Sequence, residues 1–563
     1  MIADTQRAPG RSLARFRAPT ALTAFAVGLA ILLAVPVVVV LLNVFVPTRG
    51  TWAHLAATVL PDYVLNSLGL MLGVAYGVIT IGITTAWLTT MCRFPGRRIL
   101  EWALLLPMAM PAYVMAYAYT DLLQFAGPVQ SALRAWTGWG AGNYWFPDVR
   151  SLPGAVAMLA FVLYPYVYLL ARAAFLEQSE SMLEAARISG YGPWGTFLRV
   201  ALPLARPGIV AGTALALMET LADFGTVAYF GVHTFTTGIY RAWFSLGDHV
   251  AAAQLSATLL GFVFLVLLIE RTTRGRASFH NIAPRRRVAY PYRLRGFKAA
   301  LAFVASAIPL VLGFFLPAGV LIQMSVTAGD IQFGARYVDL TFNTVTLAAI
   351  TALLAVFLAV MVGYAARSSR SPVVHAANRI AGLGYAVPGA VIAVGVLIPV
   401  TRLDHALSAA VEHLTGHAIG LVFTGGIAAL VYAYLVRFFA VSLQTVEAGL
   451  AKITPSMDSA ARSLGLGPTG TLMKVHIPLL WRSALIAALL VFVDVMKELP
   501  ATFVMRPFNF DTLAVQAFNL ASDERLAEAS TPALTIVAAG LLPIVLLSRM
   551  MLQRPHGAGA RHL

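Results

Sequence analysis

The chain has 563 residues, of which 59% are hydrophobic and 11% charged, with a formal net charge of +16. Soluble domains carry about a quarter charged residues, so this composition excludes an ordinary globular protein and points to a membrane. The basic residues are spread over short loops rather than gathered on one face, which argues against a nucleic-acid partner, and a single cysteine, Cys92, excludes an internal disulfide framework and a cysteine-based zinc site.

In chain order, Arg7, Arg11, Arg15 and Arg17 precede an apolar run at 22–46. That run is too long for a signal-peptide core and lacks a small-residue cleavage site, so it reads as a first span that stays. Windows of roughly 20 apolar residues can cross a bilayer. Twelve are expected: 22–46, 67–91, 100–124, 153–176, 207–230, 250–270, 299–325, 343–366, 378–402, 420–443, 483–505 and 531–551. With the N-terminus inside, alternate loops collect the arginines and lysines, among them Arg93, Arg97 and Arg98, then Arg172, Arg187 and Arg199, and later Lys452, Arg462 and Lys474. Arg49, Arg370 and Arg554 follow the same count, the first outside and the other two inside. Both termini are then cytosolic. The basic stretch 271–298 is the one plausible linker, and it divides the chain into six-span halves at 1–270 and 299–563. Six is even, so the halves share one orientation as parallel repeats.

The internal repeat is most explicit in a Gly/Pro-broken segment between apolar runs. Glu184-Ala-Ala-Arg-Ile-Ser-Gly190-Tyr-Gly-Pro continues to Leu202-Pro203, and Ser459-Ala-Ala-Arg-Ser-Leu-Gly465-Leu-Gly-Pro continues to Ile477-Pro478, 275 residues later. The pattern predicts two short helices joined by a glycine turn, with proline starting the next helix. Leu183, Ala186 and Ile188 are expected to share one side of the first. Asn66-Ser67 and Asn343-Thr344, Pro111 and Pro388, Phe235-Thr-Thr237 and Phe510-Asp-Thr512, and Asp248 and Asp523 extend the correspondence.

The repeated segment resembles the EAA loop of ABC importer permeases. The first copy fits at Glu184, Ala185, Ala186, Gly190, Leu202 and Pro203. The second fits at Ala460, Ala461, Gly465, Ile477 and Pro478, with Ser459 in place of the glutamate and Asp458 one position earlier. The resemblance implies an all-α integral membrane protein with twelve transmembrane helices as two parallel six-helix repeats, of the type I ABC importer permease kind. It implies that each loop seats in one of two copies of a cytosolic ABC ATPase, which binds the ATP and magnesium. No Gly-Lys pair exists for a phosphate-binding loop in this chain, so no cofactor is expected on it and ATP hydrolysis falls to the partner. Asp223-Phe-Gly-Thr-Val, Phe235-Thr-Thr-Gly-Ile-Tyr240, Lys497-Glu-Leu-Pro-Ala-Thr502 and Phe510-Asp-Thr-Leu-Ala514 look like the fused ferric-iron permeases. That resemblance implies import of iron(III) delivered by a periplasmic solute-binding protein across a bacterial inner membrane. Thiamine, polyamine and phosphonate importers share the architecture and remain alternatives.

Glu219 and Asp223 are four apart in the fifth expected span, and Asp494 and Glu498 occupy the matching positions of the eleventh. Such a pair would share one helix face. Intramembrane charges face a bundle interior or a water-filled path, so four carboxylates could form a ring suited to a cation preferring hard oxygen ligands. They could equally cap neighbouring helix ends or pair with Lys497. His413 and His417 have the spacing of a two-histidine metal site, but a histidine-bearing surface helix is the commoner origin of that pattern. Tyr164, Tyr166, Tyr168 and the Trp136, Trp139 and Trp145 loop fit packing and an interfacial belt. Arg93-Phe-Pro-Gly-Arg-Arg98 resembles a piece of the major-facilitator carriers, which keeps an ATP-independent carrier as a competing reading; the aspartate that belongs before it is absent.

Overall fold

The computed structural model describes residues 20–552 apart from 49, 141, 179, 275–291, 328–333 and 370. Arg7 to Arg17, Arg49, Arg370, Arg554 and the centre of the expected linker lie outside the described residues. The rest is almost wholly helical, since a helix satisfies every backbone polar group within itself where no water can. Among the described residues, eleven helices are long and apolar enough to cross a membrane, and the count reaches twelve where one bent pair is taken as a single broken span. In order they are Ala21–Phe45, Leu60–Met91, the pair Arg97–Ala109 and Ala112–Thr137, Leu152–Glu177, Pro193–Ala222, His249–Thr273, Phe297–Thr327, Ala335–Ser368, Gly389–Thr415, Ala428–Leu450, Pro468–Met496 and Leu526–Leu546. The all-α membrane fold is the one the sequence implied.

Four spans are broken or end earlier than expected, and proline or a carboxylate accounts for each. The third is bent by 92° between Ala109 and Ala112. Pro111 holds Met110 in an extended conformation (φ −87°, ψ 115°) and cannot donate a helical hydrogen bond. Pro388 does the same to Val387 (φ −84°, ψ 123°). The expected span 378–402 is therefore a separate helix Pro372–Ala381 followed by Gly389–Thr415. The fifth and eleventh spans stop at Ala222 and Met496 rather than running to 230 and 505, and short helices Gly225–Tyr229 and Pro500–Met505 follow.

The two sets of six spans exchange their first members. The first span packs on the eighth and ninth, and the seventh packs on the second, third and fourth. Each exchange is fixed by a proline that frees a carbonyl. Pro36 has no N–H for the Leu32 carbonyl four residues back, and the Tyr432 hydroxyl donates to it instead at 2.6 Å. Pro317 follows a π turn at Val311–Phe315, and Tyr119 donates to the freed Leu312 carbonyl at 2.7 Å. Close approach needs glycine at these crossings: a Cβ on Gly395 would lie 2.3 Å from the Pro36 carbonyl oxygen, and one on Gly313 would lie 2.7 Å from that of Phe161. At the far end of the linker, Tyr292–Arg293 pairs in parallel with Cys92–Arg93 between the second and third spans. Asn66 donates to the His233 carbonyl (2.9 Å) and Asn343 to that of Asp511 (3.2 Å), so the sequence repeat is also a repeat of roles.

Candidate functional site

Both EAA-like segments fold as helix, glycine turn and helix. The first helix is Glu180–Ile188 in one copy and Pro455–Ser463 in the other. Gly190 (φ +81°) and Gly465 (φ +80°) take the left-handed conformation that ends each. The next amide closes back to the same alanine in both: Tyr191 to the Ala186 carbonyl and Leu466 to that of Ala461, each at 3.0 Å. Short helices Pro193–Thr196 and Pro468–Thr471 lead into π turns at Phe197–Ala201 and Leu472–His476. A π turn widens the helix just where the rings of Pro203 and Pro478 would strike the carbonyl four residues back.

The segments present unequal surfaces. Glu184 and Ala185 are exposed and Ala186 is buried; Ile188 is 87% exposed, so it and Ala186 do not share a side as expected. Trp194 is exposed as well. In the second copy Leu464 is 81% exposed, Ala460 is exposed and Ala461 buried. Leu202 is half-buried, and Pro203, Ile477 and Pro478 are exposed. Ser459 turns back on its own helix, bonding the Pro455 carbonyl at 3.1 Å and receiving Arg462 at 3.1 Å. Asp458 faces inward. It accepts Arg367 at 2.8 Å and meets His476 Nε2 at 2.7 Å, while Arg367 also donates to the Leu450 and Ile453 carbonyls, each at 2.8 Å. Arg97, in the major-facilitator-like piece, is likewise occupied locally by the Thr89 carbonyl (2.6 Å) and Glu101.

Midway along the fold, Glu219, Asp223, Asp494 and Glu498 line one cavity of about 130 Å³. They do not form two pairs on helix faces. Only Glu219 and Asp494 stand on the long helices, which end at Ala222, followed by an extended Asp223 (φ −65°, ψ 131°), and at Met496. Asp223 and Glu498 instead cap the short helices beyond. Asp223 accepts the Thr226 and Val227 amides, both at 3.1 Å, and Glu498 accepts the Ala501 and Thr502 amides at 2.9 and 3.0 Å. Asp494 pairs with Lys497 at 2.8 Å. Arg437, from the tenth span, binds Glu498 at 3.1 Å and approaches Glu219 to 3.8 Å. Tyr166, Tyr385 and Tyr113 complete the polar lining. The sequence reading did not single out Arg437, although a lone arginine inside the apolar run 428–450 was a visible signal. Tyr164 and Tyr168 are core residues as expected, whereas Tyr166 also reaches the cavity.

The two histidines do not share a helix face as their spacing suggested. The ninth span ends at Thr415, Gly416 is left-handed, and exposed His417 lies past the helix that carries exposed His413. No group of three or more His, Cys, Asp or Glu side chains that could hold a metal ion occurs among the described residues. Trp136, Trp139 and Trp145 are exposed, as an interfacial belt requires.

Residues 78–274 match the family described as binding-protein-dependent transport system inner membrane component. The molybdenum transport system permease protein ModB of Escherichia coli (strain K12) is 30% identical over 207 residues, which are 35% of this chain and 87% of ModB. The chain belongs to this family. The permease is also 25% identical over 496 residues, 86% of its length, to the Fe(3+)-transport system permease protein FbpB 2 of Haemophilus influenzae, of which 89% is covered. It is 26% identical over 200 residues to the sulfate transport system permease protein CysT of Escherichia coli (strain K12), covering 35% of this chain and 69% of CysT. It is therefore an inner-membrane, non-enzymatic subunit of a transport system that depends on a binding protein.

Proposed function

We infer that this permease carries iron(III) inward in two fused six-span halves, 1–270 and 299–563, with both termini cytosolic. Two copies of a cytosolic ATPase seat on 180–203 and 455–478 and supply the ATP and magnesium chemistry, and a periplasmic binding protein delivers the cargo. The observation that carries this reading is the iron(III) relative: its match runs through both halves, whereas those of the molybdenum and sulfate relatives span about a third of this chain. The repeated loops, built alike at the foot of each half, support one docking site per half. A cavity lined by four carboxylates supports a cationic cargo.

An oxyanion reading draws on the molybdenum and sulfate relatives and on Arg437 and Lys497. Both cations are already held by carboxylates, and four acids against two bases leave a formal excess of two negative charges, which disfavours an anion. The deciding experiment is uptake of radiolabelled iron(III) into proteoliposomes holding the permease, its ATPase and its binding protein, with and without internal ATP. ATP-dependent accumulation is expected. Uptake of molybdate or sulfate but not iron would keep the permease and discard the cargo, and uptake driven by an ion gradient without the ATPase would overturn the reading.

A further inference from the structure

The two cations in the acidic cavity come from one side only. Arg437 and Lys497 both belong to the last six spans, and the position matching Lys497 in the first six, 275 residues earlier, is Ala222. Lys497 stays on its own helix end, three residues from Asp494. Arg437 reaches across: it is anchored by Glu498 of its own six spans, and its other terminal nitrogen points to Glu219 of the first six. The fold makes room for this. A Cβ on Gly389 would lie 2.5 Å from the Arg437 guanidinium and 2.7 Å from Glu498 Oε1, so glycine at the start of the ninth span is what admits the pair. The Arg437 side chain is 9% exposed, and that of Glu219, 25%. Glu219 is thus the wetter and more weakly held partner, where contact would break first.

We propose that Arg437 is the resident counter-ion of this cavity, holding the two sets of six spans together through Glu219 until a cationic cargo takes its place. The proposal rests on the cavity being the cargo's route. With Arg437 in place, four carboxylates face two cations; with Arg437 drawn away from Glu219 and then Glu498 they face Lys497 alone, leaving three uncompensated negative charges, which fits a trivalent ion. A cargo bearing three positive charges neutralises that site, whereas a divalent or neutral solute leaves charge buried at a cost. Arg437 thereby acts as a specificity-determining residue as well as a latch.

The test uses the assembled complex in proteoliposomes. Glu219→Gln removes the inter-half charge and leaves Arg437 on Glu498. ATP turnover without binding protein is expected to rise roughly fivefold or more, toward the stimulated rate, since the contact holding the resting state is lost. Glu219→Asp, which keeps the charge, is expected to retain most of the restraint. Because Arg437→Gln alone would leave Glu498 buried without its partner, Arg437→Gln/Glu498→Gln is the second variant, and the same loss of restraint is expected. Unchanged resting turnover in both, with iron(III) uptake reduced, would overturn the latch while leaving the cavity on the route. Unchanged resting turnover with unchanged uptake would overturn both the latch and the route.

Discussion

Asp458 sits one position before Ser459, which occupies the glutamate position of the EAA-like pattern in the second loop, and its neighbours give it structural work. Burial alone would raise its carboxyl, but hydrogen bonds from His476 and Arg367 outweigh that and hold it below the usual 3.8. The fold therefore favours the ionised form: the contribution is complete above the unfolded value and is lost only as pH falls through the lowered one. Asp458→Asn should then loosen the helix Pro455–Ser463 by about 1–2 kcal/mol. Amide exchange in that helix should show the loss at constant size between about pH 5 and 8, narrowing only in acid. A loss that changed with pH between about 5 and 8 would refute this assignment to the ionised Asp458 carboxylate. Cys92 illustrates the same dependence on surroundings. Burial pushes its thiol up to about 11, so the residue is a small core side chain rather than a reactive group.

Among the elements, the two EAA-like segments owe their shape to backbone rules legible in the sequence. Gly190 and Gly465 adopt φ near +80°, and a Cβ at either would meet nothing within 4 Å. The penalty for a side chain is thus purely conformational, on the order of 1–2 kcal/mol. Gly190→Ala and Gly465→Ala should each weaken ATPase association by about fivefold to thirtyfold. Asn, which tolerates the left-handed region, should cost less. Equal losses for Ala and Asn would show that the turn geometry is not what the ATPase reads. The carboxylate spacing misled for a related reason. Four residues apart implies a shared face only while the helix lasts, and Asp223 and Glu498 lie past its end because they are more useful as caps for the helices that follow.

At the scale of the whole molecule, exchange of the first and seventh spans makes the two halves interdependent in a way that a simple linear division into 1–270 and 299–563 does not convey. Each crossing is pinned by a tyrosine satisfying a carbonyl that proline has freed, a bond worth about 0.6 kcal/mol on average inside a membrane. Cysteines placed at Leu32 and Tyr432 in a Cys92→Ser background should cross-link within one chain with a short bifunctional thiol reagent, the length of the tyrosine side chain keeping the two backbones beyond direct disulfide reach. Absence of that product, with the variant folded and inserted, would refute the exchange. The same intimacy places Arg437 beside Glu219, so the state of the central cavity and the fit of the halves are set together.

The sequence by itself determined the membrane class, the run of apolar spans, and the glycine-turn form of both EAA-like segments. Each of these follows from local composition, proline and glycine chemistry, or a pattern repeated at a fixed offset. The proline breaks at Met110 and Val387 were also present in the sequence, but a hydropathy window averages across them, so the third and ninth spans were expected to be continuous. Only the tertiary structure decided which half the first span lies against, which carboxylates are caps, and which cations meet them. Those choices depend on contacts such as Arg437 with Glu219, 218 residues apart in sequence, and no periodicity within one helix records what a neighbouring helix brings to its side.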